Sequence, residues 1–168
     1  MSFDIIKSLT NEFTHECAST RKVLERIPLN KGTWKPHEKS MDLYNLAVHV
    51  ADMPNWVALT IEQDELDFAK TPYKAKKAED TAALLKIHDD AVASALKSIA
   101  NTNADVLKNE QWTMRHGDTI YFTMPKIAVL RSFSFNHLYH HRGQLTVYLR
   151  LLDIPVPALY GPSADERG

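Results

Sequence analysis

Four long segments of this 168-residue chain carry apolar residues at spacings of three and four, the period of an amphipathic helix. With 44% hydrophobic residues, the chain has enough apolar material for one sizeable core, and its 24% charged residues suit a solvated surface. The sequence therefore predicts a single domain over residues 1–168, of the all-α class and built as a four-helix bundle. The predicted helices cover residues 3–27, 41–63, 80–102 and 125–152.

Residues that favour helix ends and breaks refine these boundaries. Ser40 is predicted to cap the second helix, and Pro54 should kink it. Asp80 is a suitable N-cap for the third helix, and Pro125 fits the first turn of the fourth. Between these last two helices, aromatic and β-branched residues flank the turn-like sequence HGDT. Residues 111–124 therefore read as a short hairpin or an extended crossover, whose role the sequence does not give.

Charge and cysteine content exclude several classes of function. With 20 basic and 21 acidic residues the net charge is −1, so no global field draws the chain to nucleic acid or to a membrane surface. The N-terminal residues show neither a signal peptide nor a membrane span, which predicts a cytoplasmic protein. The single cysteine, Cys17, excludes an intramolecular disulfide and a cysteine-rich zinc site, and it is expected to be a core residue.

Three of the eight histidines lie within five positions of the last predicted helix, in the run NHLYHHRGQ. At about 100° per residue, His141 lies about 40° from His137, while Gln144 and Tyr148 fall on the same apolar stripe. Arg131, Arg142 and Arg150 fall on the far side of the helix. His137 and His141 should thus face the bundle interior, and His140 should lie at the rim.

Two histidines one turn apart on a buried face can bind one divalent ion, because side chains at i and i+4 stack above each other. A third ligand must come from another helix, and His49 is the best candidate, since it borders the apolar stripe of the second helix. Leu138 stands where a zinc protease of the HExxH type has its glutamate, which removes that class of enzyme. The residues alone leave two interpretations open: a three-histidine metal site, or partly buried histidines satisfied by hydrogen bonds.

A family resemblance bears on this choice. Four features of the sequence occur in an order and separation similar to those of the DinB family of damage-inducible, YfiT-like proteins. They are the run WKPHEKSM before the second helix, the histidine one turn further into that helix, the run HHRGQ and the tail DIPVPALYGPSADE. The resemblance implies an up-down-down-up four-helix bundle, commonly dimeric, with a divalent transition metal bound by His49, His137 and His141. Some similar proteins transfer low-molecular-weight thiols or isomerise substrates with a thiol cofactor.

Three neutral imidazoles leave the charge of zinc or nickel uncompensated and leave a coordination position open, as in a reactive site. We therefore expect a metal-dependent transferase using a low-molecular-weight thiol, or a hydrolase using metal-bound water, that acts on a small-molecule substrate. Gln144 and Tyr148 are the candidate catalytic side chains, and Asp52 is a candidate partner for His49. The alternative is a non-catalytic stress-response or ligand-binding bundle with a structural metal. Phe135 and Tyr139, which the helical angles place on the outer face, favour a homodimer.

Overall fold

The structure is a computed structural model that describes residues 4–72 and 74–167, so Phe3, the predicted start of the first helix, lies outside it. The chain is mostly helical, with a small three-stranded sheet. In residues 4–72 and 74–167, no helix is both long and apolar enough to cross a membrane. The helices are α1 (Ile5–Leu24), α2 (Leu43–Asp52), α3 (Asn55–Glu62), α4 (Thr81–Asn101), α5 (Ala104–Asn109), α6 (Lys126–Val129) and α7 (Asn136–Leu151), and the strands are β1 (Glu65–Asp67), β2 (Gln111–His116) and β3 (Thr119–Pro125).

Short acidic side chains begin two of the long helices. Asp80 caps α4 as predicted, because its side chain accepts a hydrogen bond from the backbone N–H of Ala83. The predicted Ser40 cap of α2 is wrong. Asp42 takes that place, with an extended backbone and a side chain that accepts from the backbone N–H of Asn45 at 2.8 Å.

Both helices that supply the histidines are irregular. The predicted kink at Pro54 is a complete break, because α2 ends at Asp52 and Pro54 lies at the N-cap of α3. The last predicted helix is α6 and α7 joined by a π-helical segment, Leu130–Phe135. At its end the N–H of Asn136 donates to the carbonyl of Arg131, five residues earlier. A π segment has a wider turn, so angles counted at 100° per residue hold within α7 only.

The segment after α5 forms the predicted hairpin. β2 and β3 pair antiparallel and turn at Gly117, whose φ of 57° favours glycine. β1 pairs with β2 in parallel and was not predicted, and it turns the expected all-α fold into a mostly helical one with a small sheet. A second apolar cluster lies against this sheet, formed by Leu66, Trp112, Met114 and Val129.

The main core lies between four helices. α1 contacts both α4 and α7, and α2 contacts the same two helices. α7 is therefore covered on two sides. This corrects the prediction for Phe135, which is buried and stacks on Phe13 of α1 instead of lying on the outer face. Arg142 lies away from the histidines, as predicted, and is only 2% exposed because α1 covers it.

The same four-helix packing buries two side chains of α1 and α4. Cys17 is buried, as expected of a core cysteine, and burial raises the pKa of its thiol to about 12. The backbone carbonyl of Cys17 accepts a hydrogen bond from Nε2 of His88 at 3.1 Å. His88 is therefore a core residue, only 1% exposed, even though Asp89 and Asp90 follow it in the sequence.

Candidate metal centre

His49 from α2 and His137 and His141 from α7 meet in one cluster. One nitrogen from each ring lies within 4.8 Å of those of the other two. The ring centroids of His49 lie 5.5 Å from His137 and 4.9 Å from His141. In the described part of the chain, this is the one group of three or more histidine, cysteine or carboxylate side chains arranged to hold an ion. The three residues selected from the sequence are thus brought together by the contact between α2 and α7.

Both histidines of α7 have a hydrogen-bond partner besides each other. Nδ1 of His141 lies 2.7 Å from the side-chain amide of Gln144, and the ring of His137 is hydrogen-bonded to the backbone of Phe133. Ligand histidines in metal sites are oriented by such bonds.

The two Nε2 atoms lie 2.8 Å apart. At this distance the two nitrogens can share one proton in a hydrogen bond when no ion is bound. The donor set fits a divalent metal because a nitrogen of His49 completes a group of three that lie within 4.8 Å of one another. Three imidazole nitrogens also match the ligands preferred by zinc and nickel.

The surroundings keep the three imidazoles neutral. Burial, together with the neighbouring His141 and His137, lowers the pKa of His49 to about 4 from its ordinary 6.5. Burial also lowers the pKa values of His137 and His141. At neutral pH each ring therefore has a lone pair ready for an ion, and no proton has to leave first.

Asp52 lies one turn after His49 and is only 8% exposed. Its Oδ1 accepts from the side-chain amide of Asn55 at 2.7 Å and pairs with Nζ of Lys76 at 2.9 Å. Its negative charge opposes the fall in the pKa of His49. Asp52 is thus a buried, paired carboxylate near the cluster. The sequence suggested the carboxylate by its spacing but gave no sign of Lys76, which is 24 residues away.

One opening reaches the cluster, and a second lies one side chain away from it. A cavity of about 110 Å³ is lined by His49 itself, together with Met41, Asn45, Val48 and Ala75. A cleft of about 250 Å³, which we call the α3 cleft, is lined by Asp52, Trp56, Leu59, Leu66 and Phe68 among others. All three histidines are half-buried, so the cluster is not sealed from solvent.

The other predicted site residues lie at different distances from the cluster. Gln144 contacts His141 directly, and the ring of the exposed His140 lies 4.9 Å from that of His141. The hydroxyl of Tyr148 donates to the carbonyl of Met41 at 3.0 Å, and its ring meets Trp34 edge-on. Arg142 pairs with Glu16 at 2.6 Å and does not reach the histidines.

Comparisons with known proteins agree with the fold. The family model described as the DinB family matches residues 2–167. The chain resembles the crystal structure of a DinB-like protein (YjoA) of Bacillus subtilis, with a TM-score of 0.70 and 16% identity over 96% of this chain and 99% of that one. It also resembles the crystal structure of a DinB-like protein of Bacillus cereus, with a TM-score of 0.67 and 20% identity over 95% of this chain and 100% of that one. The uncharacterized protein YrdA of Bacillus subtilis is 34% identical over 79 residues, which are 45% of this chain and 46% of that protein. That match spans less than half of the relative's length.

Proposed function

The chain belongs to the DinB family, and we propose that it binds one divalent transition-metal ion through His49, His137 and His141 and acts as a metal-dependent enzyme. The observation that carries this proposal is the meeting of one ring nitrogen from each of these three histidines within 4.8 Å of the other two, although the residues come from two different helices. Nitrogens this close together can all bind one ion.

The ligand set and its access favour a reactive ion over a purely structural one. Three neutral ligands leave the ion its full charge and at least one open coordination position. When bound, zinc or nickel would supply a Lewis acid that lowers the pKa of a coordinated water or thiol. The cavity lined by His49 gives a small substrate a route to that side of the cluster. We infer either thiol transfer, with a low-molecular-weight thiol as cosubstrate, or hydrolysis by activated water.

The chain's own residues would hold the ligands and the substrate. Gln144 fixes the ring of His141 through Nδ1, and the carbonyl of Phe133 does the same for His137. The negative charge of Asp52 would partly balance the positive charge of an ion bound beside His49. The amide oxygen of Gln144 faces His141, so its NH2 group could orient a substrate without breaking that bond. Tyr148 could donate a proton only after leaving the carbonyl of Met41. We therefore assign both residues to positioning rather than to proton transfer.

Metal content tests the proposal directly. Protein purified without a histidine tag should contain about one equivalent of zinc or nickel by elemental analysis, and His141→Ala should lose it while its circular dichroism is unchanged. His140→Ala is the matched control, because His140 is the exposed neighbour of His141 and should leave the metal content at the wild-type level. Absence of metal from the wild type, also after metal supplementation, would refute the site.

Activity assays distinguish a metal-dependent enzyme from the alternative, a non-catalytic protein. Metal-loaded protein should transfer a low-molecular-weight thiol to an electrophile or hydrolyse an activated ester or amide, and His141→Ala should do neither. A full metal complement with no turnover in either assay would instead favour a non-catalytic stress-response bundle, in which the metal braces α2 against α7.

Further features of the family's architecture are proposed on the same basis. We infer a single domain with the up-down-down-up arrangement of four helices, which the contacts of α1 and α2 with both α4 and α7 support. We also propose a cytoplasmic homodimer. With Phe135 buried, the surface that supports a dimer is the outer face of α7, where Val147 and Leu151 are exposed one turn apart. Light scattering of the wild type and of Val147→Asp tests this.

A further inference from the structure

The α3 cleft has apolar walls and polar ends. Trp56 and Leu59 of α3 form one wall, and Leu66 and Phe68, at β1 and just after it, form the opposite one. Asp52 lies at the end of α2, and Lys74 lies in the segment that follows Pro72. The volume of about 250 Å³ is below the range of pockets for drug-sized ligands, so the cleft suits a metabolite with one or two rings or a short branched chain.

The charges around the cleft favour an anion. Asp52 is already neutralised, since its Oδ1 receives both the Asn55 amide and the Lys76 ammonium. Lys74, by contrast, has no ion-pair partner within residues 4–72 and 74–167. The charge available to a ligand is therefore the ammonium of Lys74, and the proposed metal ion would add further positive charge nearby.

A short chain of contacts connects the cleft to the histidines. The ring of Trp56 meets Phe133 edge-on at 4.7 Å, and the ring of Phe133 lies 5.7 Å from His137. On the other side, Asp52 lines the cleft and acts electrostatically on His49. One aromatic side chain thus separates the cleft from His137, and a ligand lying in the cleft would be held beside the cluster.

We propose that the α3 cleft binds the apolar body of a small organic carboxylate, aromatic or branched, with its anionic group at Lys74. This assignment rests on the proposed function, because it makes the cleft the place where the substrate is held next to the metal. The apolar lining of the cleft, in which Leu66 is buried and Trp56, Leu59 and Phe68 are partly buried, matches the walls of small-molecule sites.

Three probes with the same ring and different charge test the assignment. These are 2-naphthylacetate, its neutral amide and 2-(2-naphthyl)ethylamine, each titrated by calorimetry into metal-free protein. We expect one site at which the carboxylate binds about three to five times more tightly than the amide, the size of a solvent-exposed charge contact. The amine should bind least. Equal affinity of all three, or tightest binding of the amine, would overturn the anionic preference.

Two pairs of variants locate the site. Leu59→Trp should fill the cleft and abolish naphthylacetate binding, whereas Leu151→Trp, on the exposed face of α7, should leave it unchanged. Lys74→Glu should lower the affinity for naphthylacetate to that of the amide or below and leave the amide's affinity unchanged. Lys97→Glu, an equally exposed lysine on α4, should change neither. Binding that survives Leu59→Trp would refute the cleft as the site.

The same titration keeps this proposal separate from the metal site. Naphthylacetate should bind His141→Ala with wild-type affinity, because that variant lacks a proposed ligand of the ion but retains all residues of the cleft. If elemental analysis finds no metal and naphthylacetate still binds at Leu59 and Lys74, the cleft is supported and the metal site fails. If metal is bound and no variant in the cleft alters probe binding, the cleft fails and the metal site stands.

Discussion

Replacing Gln144 by leucine tests whether the histidines are oriented for an ion. The substitution removes the acceptor that lies 2.7 Å from Nδ1 of His141 and keeps a side chain of similar size. The ring of His141 is then free to place its proton on either nitrogen and to rotate. Part of the free energy of metal binding is then used to restore the right tautomer, so metal affinity should fall.

The expected loss is about tenfold, or about 1.4 kcal/mol. Loss of an outer partner of a ligand histidine costs roughly 10- to 100-fold in metal affinity. The lower end applies here because His137 keeps its bond to the carbonyl of Phe133, so one of the two α7 ligands stays oriented. Gln144→Glu should retain or raise the affinity, since a carboxylate accepts the same Nδ1–H bond with more charge.

Competition with a chromogenic zinc chelator measures the dissociation constants of these variants. Thr146→Ala is the control, because Thr146 lies on the same helix and its hydroxyl bonds only the backbone carbonyl of Gly143. The reasoning is refuted if Gln144→Leu binds zinc as tightly as the wild type. It is also refuted if Gln144→Leu and Gln144→Glu lose affinity equally, since glutamate keeps both the size and the acceptor, and the acceptor would then not be what supports binding.

Three further changes have expected outcomes in urea unfolding. Arg142→Met should lower the free energy of unfolding by about 3 kcal/mol, because it leaves the buried Glu16 carboxylate unpaired; a loss below about 1 kcal/mol would contradict this. Asp80→Ala should cost about 1 kcal/mol, because the N–H of Ala83 loses its cap, and Asp80→Asn should cost little. Lowering the pH should destabilise the metal-free protein. The pKa of His49 is about 4 in the folded protein and 6.5 ordinarily. Between these pH values the unfolded chain therefore binds more protons than the folded protein, and the free energy of unfolding should fall as the pH drops from 6.5 towards 4. His49→Asn should flatten that fall, and a pH-independent urea midpoint in the wild type would contradict it.

Periodicity predicted the positions of the long helices and selected His49, His137 and His141 as candidates, because both depend on which face of each helix is apolar. It did not reveal the burial of Arg142, for a physical reason. The helical angle correctly separated Arg142 from His137 and His141, but a helix packed between α2 and α1 has two buried faces, and a charged residue on the second face is buried with a partner from α1. That partner, Glu16, lies 126 residues away in the sequence, so the residues around Arg142 do not indicate it.

Other features depend on interactions that a linear pattern does not contain. β1 is three residues long and exists because the exposed edge of β2 pairs with it. The π-helical segment shifts the hydrogen-bond register without changing the run of apolar residues, so the apolar pattern predicted an ordinary α-helix there. Ser40 and Asp42 are equally good capping residues, and only the backbone conformation at Asp42 decides between them.

The two irregular points of the helices that carry the histidines are in contact, and this contact links the histidine cluster to the α3 cleft. The break at Pro54 begins α3 and places Trp56 where it meets Phe133 in the π-helical segment. The carbonyl of Phe133 in turn holds His137. A straight α2 would carry Trp56 along a different line, and an ordinary α-helical register through residues 130–135 would turn Phe133 relative to His137. The wall of the cleft and the orientation of His137 therefore depend on the same aromatic pair, and a single ring, that of Phe133, lies between Trp56 and the histidine cluster.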